Sequence, residues 1–264
     1  MPQRHEARIR LRETSMERSL KRILVKERWA LKVLAIGAHP DDIEISCAGT
    51  LAKLVLAGHE VTICHASDGD KGHYRIPPEE LIPIRKREAL QSGAIIGSEV
   101  ISLGMRDGNI WADNDDNRAI FIDLMCRVQP DLVITHTPND YMPDHVAVSR
   151  LVFDTTFLAT LPDASKLFPN VAKVPSLFYM DNLSGIDFQP TLYVDITDSF
   201  VTKTEMLKQH QSQLVWLKEH DNVDVLDMME TLSKFRGIQA GCTYAEGFIQ
   251  HMAWTRPNAV RFPV

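Results

Sequence analysis

Short apolar runs recur along the chain at residues 33–38, 61–66, 100–103 and 132–135, separated by segments of helical length. A continuous apolar run of that size bounded by polar residues reads as a strand buried on both faces. The segments between them predict helices over 47–57, stopping at Gly58, over 79–96, ending at Gly97, over 117–128, ending before Pro130, and over 146–158. Pro83 lies inside the second of these and places that helix start near itself, because proline fits only the first turn. Strand alternating with helix predicts an α/β fold of Rossmann-like type, a mostly parallel sheet with helices on both faces. Beyond Pro162 the pattern gives two further strands at 177–180 and 192–196, a long helix over 199–216 and another over 223–235. The remainder is less regular.

The first thirty residues read differently. Arg and Lys alternate with Glu around Ile9, Leu11, Met16, Leu20, Ile23 and Leu24, without the continuous apolar core of a secretory signal. They predict a charged helical extension over residues 1–30, followed by one α/β domain over 31–264.

Composition narrows the function classes. A hydrophobic fraction of 44% with 24% charged residues is that of a globular domain and argues against membrane spans and disorder. A net charge of −6 offers no field for nucleic acid, so the expected partner is a polar small molecule. Cys47, Cys64, Cys126 and Cys242 are scattered, with no close pairing of the zinc-ribbon or redox kind, and read as reduced thiols of a cytoplasmic protein.

The chemistry concentrates in two loops. Ala38-His39-Pro40-Asp41-Asp42-Ile43-Glu44 follows the first strand, and His136-Thr137-Pro138-Asn139-Asp140-Tyr141-Met142-Pro143-Asp144-His145 follows the fourth. If both strands are parallel, both loops emerge at the same sheet edge, where α/β folds bind ligands. His39, Asp42 and His145 then converge as a two-His, one-carboxylate metal site with open positions, the catalytic rather than the structural pattern. Asp41 lies beside it as a general base toward water at the metal. Asp144 is placed to hold an imidazole in its working tautomer. The ligand types leave zinc, iron(II) and manganese(II) open.

At these loops the chain resembles the zinc-dependent deacetylases of the PIG-L or LmbE-like family, on Ala38-His39-Pro40-Asp41-Asp42 and on Pro143-Asp144-His145. The resemblance extends to Ser67-Asp68-Gly69-Asp70-Lys71-Gly72, Ile84-Arg85-Lys86-Arg87-Glu88, Leu103-Gly104-Met105-Arg106-Asp107-Gly108 and Tyr244-Ala245-Glu246-Gly247-Phe248. It implies zinc on His39, Asp42 and His145, Asp41 as base, and removal of an N-acetyl group from an amino sugar or related metabolite. It further implies Arg85, Tyr141 and Asp107 on the substrate side, and a homo-oligomer, trimer or hexamer. One position departs: Met142 stands where the family carries a histidine that stabilises the oxyanion or protonates the leaving amine. That role is expected to pass to His136, with Tyr141 as the other residue of the loop able to take it. Two other readings stand beside deacetylation: hydration of an unsaturated dicarboxylic acid, drawing on Arg75, Arg85 and Arg106, and a metal-retaining protein without turnover.

Overall fold

Residues 30–169, 172–253 and 256 are described by the computed structural model. The expected N-terminal extension lies, but for Ala30, outside the described residues. Seven strands, Lys32–Gly37 (β1), Glu60–Ser67 (β2), Glu99–Met105 (β3), Leu132–His136 (β4), Ser176–Met180 (β5), Leu192–Asp195 (β6) and Ala245–Gln250 (β7), form one sheet in the order β3-β2-β1-β4-β5-β7-β6. The first five run parallel; β7 is antiparallel to both β5 and β6. The helices are Asp42–Ser46 (α1), Ala48–Leu56 (α2), Pro78–Ile96 (α3), Asp115–Val128 (α4), Pro143–Leu158 (α5), Phe200–Leu207 (α6), Gln211–His220 (α7) and Val225–Ala240 (α8).

The period-two alternation of side chains sorts the sheet into two cores. From β1, Val33 and Ala35 join Ile43, Leu51, Leu54, Phe200 and Met229 on one face. Leu34 and Ile36 join Phe121, Leu124, Val148 and Leu151 on the other. The central strands are thus apolar throughout, as the continuous runs predict, and helices cover both faces.

This order makes β1 the turning point of the topology, with β2 on one side and β4 on the other. The crevice beyond the carboxyl ends of β1 and β4 is where such sheets accept ligands. Both signature loops open there.

Four of the boundaries that differ from the sequence reading do so for a clear physical reason. The chain after β1 is already helical at Asp42–Ser46, and Cys47, at φ −146°, separates this turn from α2. Helix α3 begins at Pro78 and carries Pro83 within it, because the Pro77-Pro78 pair supplies the first-turn geometry and Pro83 forfeits one backbone hydrogen bond. Helix α5 begins at Pro143, three residues before the expected start, so Asp144 and His145 stand in its first turn. The long helix expected over 199–216 is broken into α6 and α7 at His210, whose fully buried ring turns inward to Glu44, 3.2 Å away.

Strand β7 is absent from the sequence reading because Glu246 and Gly247 interrupt its apolar pattern. Tertiary contacts explain both residues. Glu246 accepts the backbone N–H groups of Gly49 and Thr50 at 3.0 and 2.8 Å, capping α2, which has no side-chain cap of its own. A side chain at Gly247 would collide with Pro190.

Candidate active site

The first loop delivers three acidic or basic groups through an unusual turn. Asp41 has φ 123°, a left-handed conformation that a side chain adopts only at a cost of about 1–3 kcal/mol. The strain is held in place by Arg85 of α3, which is buried and donates to the carbonyls of Pro40 at 2.6 Å and Gly69 at 3.2 Å. The same guanidinium lies 3.4 Å from the Asp41 carboxylate. Gly69 and Gly72 are glycines for this reason: a Cβ at either would strike the Arg85 guanidinium. Arg85 lines the cavity, but its hydrogen bonds hold the Asp41 turn.

Asp42 is the hub of the site. Its Oδ2 accepts the His39 backbone N–H at 2.7 Å and lies 3.5 Å from His39 Nδ1, while its Oδ1 lies 3.2 Å from His145 Nε2. His39 Nε2 is taken by Asp144 at 3.1 Å, so Nδ1 is the ring atom presented to Asp42. Asp144 also accepts the Gly108 N–H at 2.6 Å. The imidazole that Asp144 meets is thus that of His39, not that of its neighbour His145. Helix geometry is the reason: adjacent residues on a helix point in different directions. His145 is instead backed by Asp140, whose Oδ2 lies 3.2 Å from Nδ1. Asp140 had no assigned role in the sequence reading, and only folding of the loop turns its carboxylate back onto the ring.

Electrostatics follow from these contacts. Burial disfavours charge on His39, yet Asp144 and Asp42 overcome it and raise its pKa to about 10. Burial likewise opposes charge on His145, and Asp42 and Asp140 raise it to about 9. Burial pushes Asp41 up to about 6, with Arg85 restraining the rise. Burial also acts on Asp42, but the imidazoles of His145 and His136 hold it well below the usual carboxylate range.

His136 stands behind this group. Its Nε2 accepts the Ala38 N–H at 2.9 Å and faces Asp42 at 3.2 Å, and its ring stacks on His145 with centroids 3.8 Å apart. Burial and the neighbouring His145 pull its pKa down to about 4. A neutral imidazole whose Nε2 already accepts a backbone bond has the geometry of a support for Asp42 and His145. Tyr141, by contrast, is half exposed on the cavity wall and hydrogen-bonds Ser184. Met142 lies beside it, also on the wall. Asp107 is held by the Ser67 hydroxyl and accepts the Lys71 N–H at 3.0 Å, and lies 3.8 Å from His39 Nε2.

These residues open onto a cavity of about 480 Å³, within the range that accepts small-molecule ligands. Its lining also includes Asn182 and Leu183, in the 181–190 loop after β5 that the sequence offers as shaping the substrate pocket, and Gln213, Trp216 and Leu217 of α7, which no local motif marks because they reach the site through the α6–α7 break.

The donor set suits a divalent ion. His39, Asp42 and His145 offer ligand atoms lying within 4.8 Å of one another, as do His136, Asp140 and His145, and His39, Asp107 and Asp144. The first group fits best: His136 Nε2 is occupied by the Ala38 N–H, and Asp144 by His39 and Gly108. His145 is buried with Nε2 3.2 Å from the Asp42 carboxylate and Nδ1 3.2 Å from that of Asp140. An unprotonated ring nitrogen so close to a carboxylate is unfavourable unless a cation or a proton sits between them.

Residues 34–156 match the family described as PIG-L: GlcNAc-PI de-N-acetylase. The chain is 26% identical over 232 residues to the diacetylchitobiose deacetylase of Thermococcus kodakarensis, covering 82% of this chain and 81% of that protein. Its fold is similar to the solved structure of N,N'-diacetylchitobiose deacetylase from Pyrococcus horikoshii, with a TM-score of 0.74 at 25% identity, covering 91% of this chain and 94% of that one. It is also similar to GalB, the 4-carboxy-2-hydroxymuconate hydratase of Pseudomonas putida, with a TM-score of 0.74 at 20% identity over 87% of this chain and 100% of that one, a likeness of fold alone.

Proposed function

From a chain that carries the PIG-L family domain over residues 34–156, with LmbE-like deacetylases among its relatives, we propose an N-deacetylase of acetylated amino sugars. The observation that carries the reading is the convergence of His39, Asp42 and His145, with the buried His145 Nε2 3.2 Å from Asp42, and the strained Asp41 carboxylate beside them on the cavity. His39, Asp42 and His145 would hold the metal, zinc first among the ions such ligands accept, with iron(II) and manganese(II) as alternatives. When bound, the ion supplies Lewis acidity, polarising the amide carbonyl and lowering the pKa of water to about 7.

The chain's own residues do the rest. Asp41, with a pKa of about 6, is mostly ionised at pH 7 and takes the proton of the attacking water as its oxygen bonds to the acetyl carbon. The same proton then passes to the amine nitrogen as the C–N bond breaks, leaving acetate and the free amino sugar. A thioether can donate no proton, so Met142 contributes only an apolar wall. We assign the oxyanion contact to the Tyr141 hydroxyl, because it is the loop donor exposed on the cavity, whereas His136 is buried behind Asp42.

Hydration of a dicarboxylic acid is less well served. The arginines it would draw on are engaged: Arg75 with Glu219 at 3.2 Å, Arg85 with Pro40, Gly69 and Asp41, and Arg106 with Asp70 at 2.9 Å. The lining residues include one further cation, Lys71, which donates to the Asp107 carbonyl at 2.5 Å.

The test pairs elemental analysis with acetate release from N-acetylglucosamine and N,N'-diacetylchitobiose, for the wild type and Asp41→Asn. Metal in both proteins, with acetate from the wild type and at least a hundredfold less from the variant, is the expected result. Metal without acetate from either protein would overturn the assignment.

A further inference from the structure

We propose that Trp216 is the stacking platform of a subsite for a second sugar ring, adjoining the ring whose acetamido group meets Asp41. This rests on the deacetylase reading for the position of the first ring. Trp216 is placed on α7 such that it lines the same cavity as His39 and Asp41. It is half buried and belongs to neither hydrophobic core.

Its orientation is nonetheless fixed with care. The indole stacks on His220 with centroids 4.2 Å apart at 25°, and meets Tyr74 at 4.9 Å and His73 at 5.8 Å. Tyr74 stacks in turn on His73 at 5.6 Å and 5°, carries the Arg75 guanidinium at 4.7 Å over its ring, and donates its hydroxyl to Glu219 at 3.0 Å. Arg75 closes the ring of contacts on Glu219 at 3.2 Å. These ring contacts, with His220 stacked on the indole, hold Trp216 where it lines the catalytic cavity.

The chemistry of that surface selects its occupant. An indole face is electron-rich, and the axial C–H groups of a pyranose form a weakly positive apolar face that complements it. Polar side chains line the same cavity: Gln213, which donates to the Gly72 carbonyl at 2.9 Å, Asn182, whose amide bonds the Ile186 backbone, and Lys71, which donates to the Asp107 carbonyl. A sugar satisfies a flat apolar face and a polar border together. An alkyl chain would strip water from their remaining donors and lone pairs and return no hydrogen bond.

The test measures binding of compounds that are not turned over, glucosamine and chitobiose, by calorimetry to the metal-loaded wild type, Trp216→Ala and Trp216→Phe. Acetate release from the corresponding acetylated compounds is measured in parallel. The wild type should bind chitobiose about tenfold more tightly than glucosamine. Trp216→Ala should abolish that difference by weakening chitobiose binding about tenfold relative to glucosamine, and Trp216→Phe should restore most of it. In turnover, Trp216→Ala should raise KM for the disaccharide about tenfold relative to KM for the monosaccharide. Equal affinity for the two compounds in the wild type, binding of neither, or a preference that survives in Trp216→Ala would overturn the platform. A Trp216-dependent preference without acetate release from any acetylated sugar would leave the platform standing and overturn the deacetylase reading instead.

Discussion

Replacing Lys203 by Met tests how the far edge of the sheet supports the site. Lys203 Nζ lies 2.5 Å from Glu246 Oε1, and the two side chains are 1% and 2% exposed. Glu246 retains its bonds from the Gly49 and Thr50 N–H groups in the variant, so its carboxylate stays where it is and loses only its counter-charge. Removing one partner of a buried pair costs about 3–5 kcal/mol, because the remaining charge is stranded in a low-dielectric interior. For a chain of this size about 1 kcal/mol moves Tm by about 2–4 °C, so the expected loss is about 6–20 °C. Urea unfolding followed by circular dichroism gives the free energy directly. The double variant Lys203→Met, Glu246→Gln removes both charges and keeps one acceptor for the helix end. It should recover at least half of the loss. A single Lys203→Met variant within about 1 kcal/mol of the wild type would refute the reasoning, since it would mean the carboxylate is hydrated or neutral rather than stranded.

Two further outcomes follow from the site itself. Asp140→Asn keeps the shape of the loop but weakens the support of His145 Nδ1, 3.2 Å away, and should lower zinc affinity by about 10–100-fold in a chelator competition, with secondary structure unchanged. Glu44, fully buried against His210 and Ser92, has its pKa lowered from 4.5 to about 2: burial opposes the charge, but the His210 imidazole outweighs it. A depressed carboxylate contributes stability that is present above the unfolded value and lost as pH falls through the folded one, here from about pH 4.5 to about 2, amounting to about 3 kcal/mol. Glu44→Gln should flatten that part of the acid-unfolding curve, measured by tryptophan fluorescence against pH. An unchanged curve would show that Glu44 is not the group responsible.

Much of the layer structure was legible because it rests on one-dimensional patterns. Continuous apolar runs marked the buried parallel strands, and Gly97 and Pro130 marked helix ends, since each acts through local backbone geometry. The helix break at His210 was not legible because it goes with a buried polar pair, His210 with Glu44, far apart in the chain, and strand β7 was not because Glu246 and Gly247, which interrupt its apolar pattern, answer to Gly49, Thr50, Lys203 and Pro190 elsewhere in the fold.

For the site, the sequence by itself determined which chemistry was present: two polar loops after two apolar strands, carrying imidazoles and carboxylates in a spacing suited to a metal and a base. Ligand types are a property of composition, and the parallel sheet brings strand ends to one edge whatever the details. Only the tertiary structure decided the partners. It gave His39 to Asp144, His145 to Asp140, and the Asp41 turn to Arg85, and it brought Trp216 to the cavity from a helix nowhere near the signature loops in the chain. Such pairings depend on the direction of each side chain to within an ångström, and that direction is fixed by packing between segments distant in sequence rather than by the residues on either side.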